Sequence, residues 1–177
     1  AVLLGAGAPD AASILDAGCG VGVVGLCALY HQPLARVDAL EIQPSLARLA
    51  ASNIDRNGYG GRVSLALGDL RTAAGEPAEL VLLNPPFFPA AAGRRNPDAE
   101  RDAARHEVHG TLFELVAAAE ARLSRRGCIR TIFPARSGLR LLEALTAAGL
   151  KVTRVRPIHS FAGSPAQWLL VDARNHG

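Results

Sequence analysis

"LDAGCGVGVVGL", Leu15 to Leu26, is the stretch on which the reading of this chain turns. Gly20, Gly22 and Gly25 spell a literal G-x-G-x-x-G, the pattern that leads a strand into a helix around a pyrophosphate. Two residues earlier, Asp16-x-Gly18-x-Gly20 sets a carboxylate just ahead of the same turn. Both registers need a strand entering the loop and a helix leaving it, and the flanks supply them. "SILDAG" (13–18) is a short apolar run ending in glycine, and "VGLCALYH" (24–31) opens a helix.

Outward from the loop, short apolar runs alternate with helical patterns. "RVDALEI" (36–42), "RVSLALGD" (62–69), "ELVLLNPP" (79–86), "CIRTIFP" (128–134), "LKVTRVRPI" (150–158) and "AQWLLVDA" (166–173) read as strands. "PSLARLAASNIDRNG" (44–58) is a helix with proline at its start and glycine past its end. "GTLFELVAAAEARLSRRG" (110–127) reads as a long amphipathic helix closed by Arg125, Arg126 and Gly127, and "SGLRLLEALTAAG" (137–149) as another. Strand alternating with helix predicts an α/β doubly wound, Rossmann-like fold with a parallel sheet covered on both faces. The last two strands are separated only by "HSFAGSP", too short for a parallel crossover, so they form an antiparallel hairpin at the sheet edge. Phe87 to His109 is longer than a plain connection needs and reads as a functional or mobile segment.

The 177 residues suit a single domain, 1–177, and half of them are hydrophobic, enough for a core. No apolar run is long enough to span a membrane, and no targeting sequence opens the chain. With no Met and an opening "AVLLGAGAP" that reads as a helix tail, the chain reads as a fragment lacking an N-terminal segment. Cys19, Cys27 and Cys128 lack metal or disulfide spacing, which points to a reducing, cytoplasmic setting. Residues 1–120 carry nine Arg against fourteen Asp and Glu, whereas 121–177 carry ten Lys and Arg against Glu143 and Asp172. That polarity suits an anionic partner as well as it suits solvated helix surfaces. Nothing in the pattern demands more than a monomer.

In such a sheet a ligand sits at the carboxyl ends of the strands. Those ends carry Asp16 with Gly18 and Gly20, then Glu41, Asp69 and Asn84. Glu41 can accept hydrogen bonds from two ribose hydroxyls, and Asp69 one from an adenine amino group. In the register directly after the strand the third dinucleotide glycine is Val23, and Asp16 would stand beside a pyrophosphate, anion against anion. The same carboxylate suits an ammonium or a sulfonium. S-adenosylmethionine carries both, with a ribose, an adenine and no phosphate. Gly22 and Gly25 are then explained by close helix–sheet packing. This rim resembles that of class I S-adenosylmethionine-dependent methyltransferases. The resemblance implies a seven-stranded sheet in the order 3-2-1-4-5-7-6 with strand 7 antiparallel.

The fourth strand ends in Asn84-Pro85-Pro86-Phe87. The lone pair of an exocyclic or amide nitrogen is delocalised and attacks poorly. The Asn84 side-chain oxygen and the Pro85 carbonyl can accept both N–H groups of a planar NH2. These bonds localise the lone pair and strengthen as positive charge develops. The prolines fix the backbone, and Phe87 offers a face to a base. The tetrapeptide resembles the Asn/Asp-Pro-Pro-Phe/Tyr signature of amino methyltransferases, which act on adenine N6, guanine N2, cytosine N4 or a glutamine amide. With "AAAGRRNPDAERDAARHE" and "IFPARSGLRLLEAL", the whole chain resembles the bacterial family that methylates adenine N6 next to the anticodon of a valine tRNA. The resemblance implies that Asp16, Gly18, Gly20, Glu41, Asp69 and Asn84 contact the cofactor and that Asn84, Pro85, Pro86 and Phe87 form the catalytic tetrapeptide. It also implies RNA, most readily tRNA, as partner.

Phe87 with Arg94 and Arg95 are the candidate substrate contacts, since "GRR" follows the target pocket. Arg122, Arg125, Arg126, Arg130, Arg136, Arg140, Lys151, Arg154 and Arg156 would supply a wider phosphate footprint. Guanine-N2 methylation of rRNA, glutamine methylation of a protein and a non-catalytic cofactor-binding module stay open as alternatives. The tetrapeptide argues against the last. "HEVH" (106–109) lacks a third ligand, so no metal is expected. His159 with Ser160 or Ser164 has no acid nearby, and Cys19 reads as a packing residue rather than a nucleophile.

Overall fold

A computed structural model describes residues 1–87 and 110–175. The strands are β1 (Ser13–Ala17), β2 (Arg36–Glu41), β3 (Val63–Leu67), β4 (Ala78–Leu83), β5 (Leu123–Pro134), β6 (Leu150–Ile158) and β7 (Trp168–Asn175). They form one seven-stranded sheet in the order β3-β2-β1-β4-β5-β7-β6. β1 to β5 run parallel, and β7 is antiparallel to both β5 and β6. The predicted hairpin is thus present, with β7 inserted between β5 and the edge strand β6. Because β6 runs parallel to β4, the turn between β6 and β7 lies at the same end of the sheet as Asn84.

Helices α1 (Val2–Gly5), α2 (Val23–His31) and α3 (Pro44–Arg56) lie on one face, and α4 (Leu112–Glu120) and α5 (Gly138–Ala147) on the other. Strand alternation divides the core accordingly. Leu15, Ala17, Val81 and Leu83 pack against Leu112, Val116, Leu141 and Leu145. Ile14, Val37, Leu80 and Leu82 pack against Leu4, Val24, Ala28 and Leu29. The central strands β1 and β4 are buried on both faces, which is why they read as unbroken apolar runs.

One element is shorter than the sequence suggests. α4 ends at Glu120 and Leu123 already pairs with Ala78 in β5. The apolar spacing of Leu112 to Leu123 fits a helix throughout, but Leu123 reaches the core only by leaving it. Arg125 and Arg126 therefore lie on a strand, beside a register shift. Gly127 is not a helix cap. A Cβ there would stand 2.8 Å from Leu123 Cδ2 and 3.1 Å from the Ala78 carbonyl oxygen, so it keeps β5 close to β4.

Candidate active site

The loop after β1 is tied to the end of β2. Gly18 N and Cys19 N both donate to the Leu40 carbonyl, at 2.8 and 2.9 Å. Gly20 N donates to Glu41 Oε2 at 2.7 Å, and Gln43 N to Glu41 Oε1 at 2.9 Å. Gly18, Gly20 and Gly22 have left-handed backbones, with φ of 71°, 57° and 84°. Gly22 is thus required by its backbone conformation, whereas Gly25 is required by packing. A Cβ on Gly25 would lie 3.0 Å from Asp16 Oδ2 and 3.1 Å from Val37 Cγ1. The expected packing role holds for Gly25 alone.

These bonds disfavour a pyrophosphate on the first turn of the loop. A pyrophosphate needs free loop amides, but Gly18, Cys19 and Gly20 already donate inward to β2. A cofactor without phosphate has no such need. Glu41, only 4% exposed, keeps lone pairs beyond the two it gives to backbone amides.

Asp16 sits on the Ile14 face of β1, against α2, and Gly25 N donates to its Oδ2 at 2.8 Å. It is 3% exposed and, like Gly20 and Glu41, is not among the residues that line the cleft described below. Burial pushes its carboxyl up to about 7, opposed by the Gly25 hydrogen bond and reinforced by the charge of Glu41. Cys19 is buried in the same apolar cluster, and burial pushes its thiol well up, so it packs rather than reacts.

A cleft opens across the ends of β1 to β4. Gly18, Asp69, Asn84 and Pro85 contribute to its rim and Ile42, Leu70 and Leu115 to its apolar walls. Asp69 is not free there. Arg71 holds it in a fork, with Nε to Oδ1 at 3.0 Å and Nη2 to Oδ2 at 2.5 Å. Arg71 also lies 3.8 Å from Glu114, which forms a capping box with Thr111 at the start of α4. This clamp was not anticipated, although an Arg two residues past a rim carboxylate was its available signal.

Asn84 is exposed on the cleft, and among the described residues its side chain has no hydrogen-bond partner. Pro85 is buried and Pro86 half-buried. Phe87 is half-buried and held edge-on by Phe133, at 5.8 Å between centroids, and by Trp168, at 5.2 Å. The ends of β5 and β7 thus brace the tetrapeptide, a contact between strands distant in sequence. The chain's single Trp at the start of a strand was the only hint.

Arg94, Arg95 and "HEVH" lie outside the described residues. Two members of the expected basic footprint face inward. Arg130 is 1% exposed and forked onto Asp172, with Nε to Oδ1 at 2.6 Å and Nη2 to Oδ2 at 2.8 Å, and it also donates to the Gly7 carbonyl. It sits on β5 directly across from Asp172 on β7, so it closes the sheet and touches no partner. Arg122 is half-buried and donates to the Ala73 and Glu76 carbonyls, both at 3.4 Å. His159 Nδ1 meets the Ser164 carbonyl at 2.5 Å, while the Ser164 hydroxyl donates to the Phe161 carbonyl, so no triad forms.

The reversed seventh strand and the cleft over β1 to β4 define the class I methyltransferase fold. The family profile of the methyltransferase small domain matches residues 2–148. A Bacteroides fragilis protein named tRNA1(Val) (adenine(37)-N6)-methyltransferase is 31% identical over 97% of this chain and 73% of its own. A Pedobacter heparinus protein of the same name is 32% identical over 93% of this chain and 70% of its own. A solved structure of a predicted O-methyltransferase from Agrobacterium tumefaciens superposes with a TM-score of 0.73 at 22% identity, over 99% of this chain and 80% of that one. The chain belongs to the methyltransferase small domain family. It is an S-adenosylmethionine-dependent methyltransferase, and no helix among the described residues is long and apolar enough to cross a membrane.

Proposed function

We propose that this chain, as one domain spanning 1–177, methylates N6 of an adenine in RNA, most specifically in tRNA, in the cytoplasm. The observation that carries the reading is Asn84: an amide on the cleft with no partner among the described residues, followed by two prolines and a braced Phe87. The relatives named for adenine-N6 methylation of tRNA, matched over nearly the whole chain, support the choice of substrate.

Bound S-adenosylmethionine would supply an electrophilic methyl group, its C–S bond breaking to leave S-adenosylhomocysteine. Glu41, at the end of β2, would receive its ribose hydroxyls, and the apolar walls from Ile42 and Leu70 its adenine. Asp69 would meet the adenine amino group only by sharing its oxygens with Arg71. Asp16 would act from behind, holding Gly25 and so the turn that Gly18 and Gly20 complete. At the target base, the Asn84 oxygen accepts one N–H and the Pro85 carbonyl the other, which localises the lone pair on nitrogen. Phe87 stacks on the base, and Arg94 and Arg95 meet neighbouring phosphates. The proton displaced from nitrogen leaves to water, so no dedicated base is required.

Incubation with S-adenosylmethionine and unmodified bulk tRNA, followed by nuclease digestion and mass spectrometry of nucleosides, tests this. N6-methyladenosine should appear with the native chain. With Asn84→Ala it should fall about 10²- to 10³-fold, the usual cost of one preorganised transition-state hydrogen bond. Cofactor binding with no methylated nucleoside would refute the tRNA reading, and a product at guanine N2 would refute adenine N6 as the target atom.

A further inference from the structure

The edge strand β6 carries a chemistry that the cleft does not use. From Ala144 to Val171 the chain contains no acidic residue, while Lys151, Arg154 and Arg156 are all exposed. Arg154 and Arg156, two apart, point to the same face of the sheet. In register across β7 they meet Asp172 and Leu170, both buried. Asp172, in register with Arg154, has both its oxygens held by Arg130. Among the described residues neither Arg154 nor Arg156 has an ion-pair partner. Two adjacent unneutralised guanidinium groups on an exposed strand repel one another and are stabilised by an anionic partner.

The strand leads to the rim. Beyond Ile158 the chain forms a fixed turn, in which Phe161 N donates to Ser164 Oγ at 3.2 Å and that hydroxyl donates back to the Phe161 carbonyl at 2.7 Å. Gln167 N closes it onto the Ile158 carbonyl at 2.9 Å. The turn holds Phe161 78% exposed, and β7 starts directly after it at Trp168, which touches Phe87 of the tetrapeptide. A single exposed aromatic is ordinary on a protein surface. Here it is preorganised at the rim end of a cationic strand, the combination that binds single-stranded nucleic acid through phosphates and a stacked base.

We propose that the exposed face of β6, ending in Phe161, is the track along which the RNA strand reaches Asn84. Arg154 and Arg156 contact its phosphates, and Phe161 stacks on a nucleotide flanking the methylated base. The proposal rests on the RNA reading above.

The test compares two charge-matched double variants of the full chain, Arg154→Glu/Arg156→Glu on β6 and Arg36→Glu/Arg56→Glu at the opposite end of the sheet, where β2 starts and α3 ends, together with Phe161→Ala. Affinity for an unmodified tRNA transcript is measured across a salt series, with S-adenosylmethionine binding as the folding control. The β6 pair should weaken tRNA binding at least tenfold and reduce the slope of log K against log salt by about 1.5 to 2. Phe161→Ala should weaken it roughly tenfold with the slope unchanged. The control pair should change it less than threefold. Equal effects from both pairs, or native affinity in the β6 pair of an enzyme that methylates tRNA, would overturn the track alone. A change in sedimentation mass on altering β6 would instead make this face a contact between copies and overturn it. A native chain that binds the cofactor but no RNA would bring down the RNA reading first, and the track with it.

Discussion

The corner between β1 and β2 and the end of β4 treat their polar groups in opposite ways. At the corner, Glu41 takes two backbone amides, Asp16 takes a third, and Gly18 and Cys19 share the Leu40 carbonyl. At the end of β4, Asn84 has no partner among the described residues, although Phe87 beside it is wedged between two aromatic rings. A cofactor that enters with the same shape in every turnover suits a corner whose shape is fixed in advance. A reacting amine needs acceptors that are positioned but unoccupied, so that their strength appears only as charge develops. The backbone is rigid in both places, and only the state of the functional groups differs.

Dismantling the corner should have the largest effect. Glu41→Ala would leave the amides of Gly20 and Gln43 without their acceptor, at roughly 1–3 kcal/mol for each group that stays buried. Denaturant unfolding should show a loss of this size, and calorimetry a cofactor affinity reduced more than tenfold. Asp16 gives the next effect, and its sign is particular. Its carboxyl titrates near 7 in the fold against an ordinary 3.8, so the native state holds a proton that the unfolded chain has released between those values. Its contribution to stability is therefore lost as pH rises from about 4 to about 7. Asp16→Asn, which can still accept from Gly25 N, should gain stability relative to the native chain between pH 4 and pH 8. A difference independent of pH would contradict this. The smallest effect belongs to the rim clamp. The Arg71–Asp69 pair is exposed enough to be worth no more than ~1 kcal/mol. Arg71→Ala should change stability little and shift the cofactor dissociation constant less than about fivefold.

Much of this arrangement is legible in the sequence. The residue at the end of each strand, the doubly wound sheet and the hairpin of β6 and β7 follow from apolar period, glycine placement and loop length. Which way a strand-end side chain points is harder. Asp16 has the parity of Ile14, but sequence alone does not say which face carries α2 and which opens on the cleft. Arg130 reads as one more surface cation until its partner across the sheet, Asp172, is known. The end of α4 at Glu120 is hidden because Leu123 continues the helical spacing while packing as a strand residue. In each case tertiary pairing, not local pattern, chose the outcome.

The contrast between a binding corner and a reacting strand end is tested most directly by measuring cofactor affinity and single-turnover methylation together for Glu41→Ala and Asn84→Ala. Asn84→Ala should retain S-adenosylmethionine within tenfold of native affinity while its methylation rate falls a hundredfold or more. Glu41→Ala should lose affinity and recover most of its rate once cofactor is saturating. If Asn84→Ala instead lost the cofactor as heavily as Glu41→Ala and recovered its rate at saturation, Asn84 would belong to the binding corner, and the division of roles would be wrong.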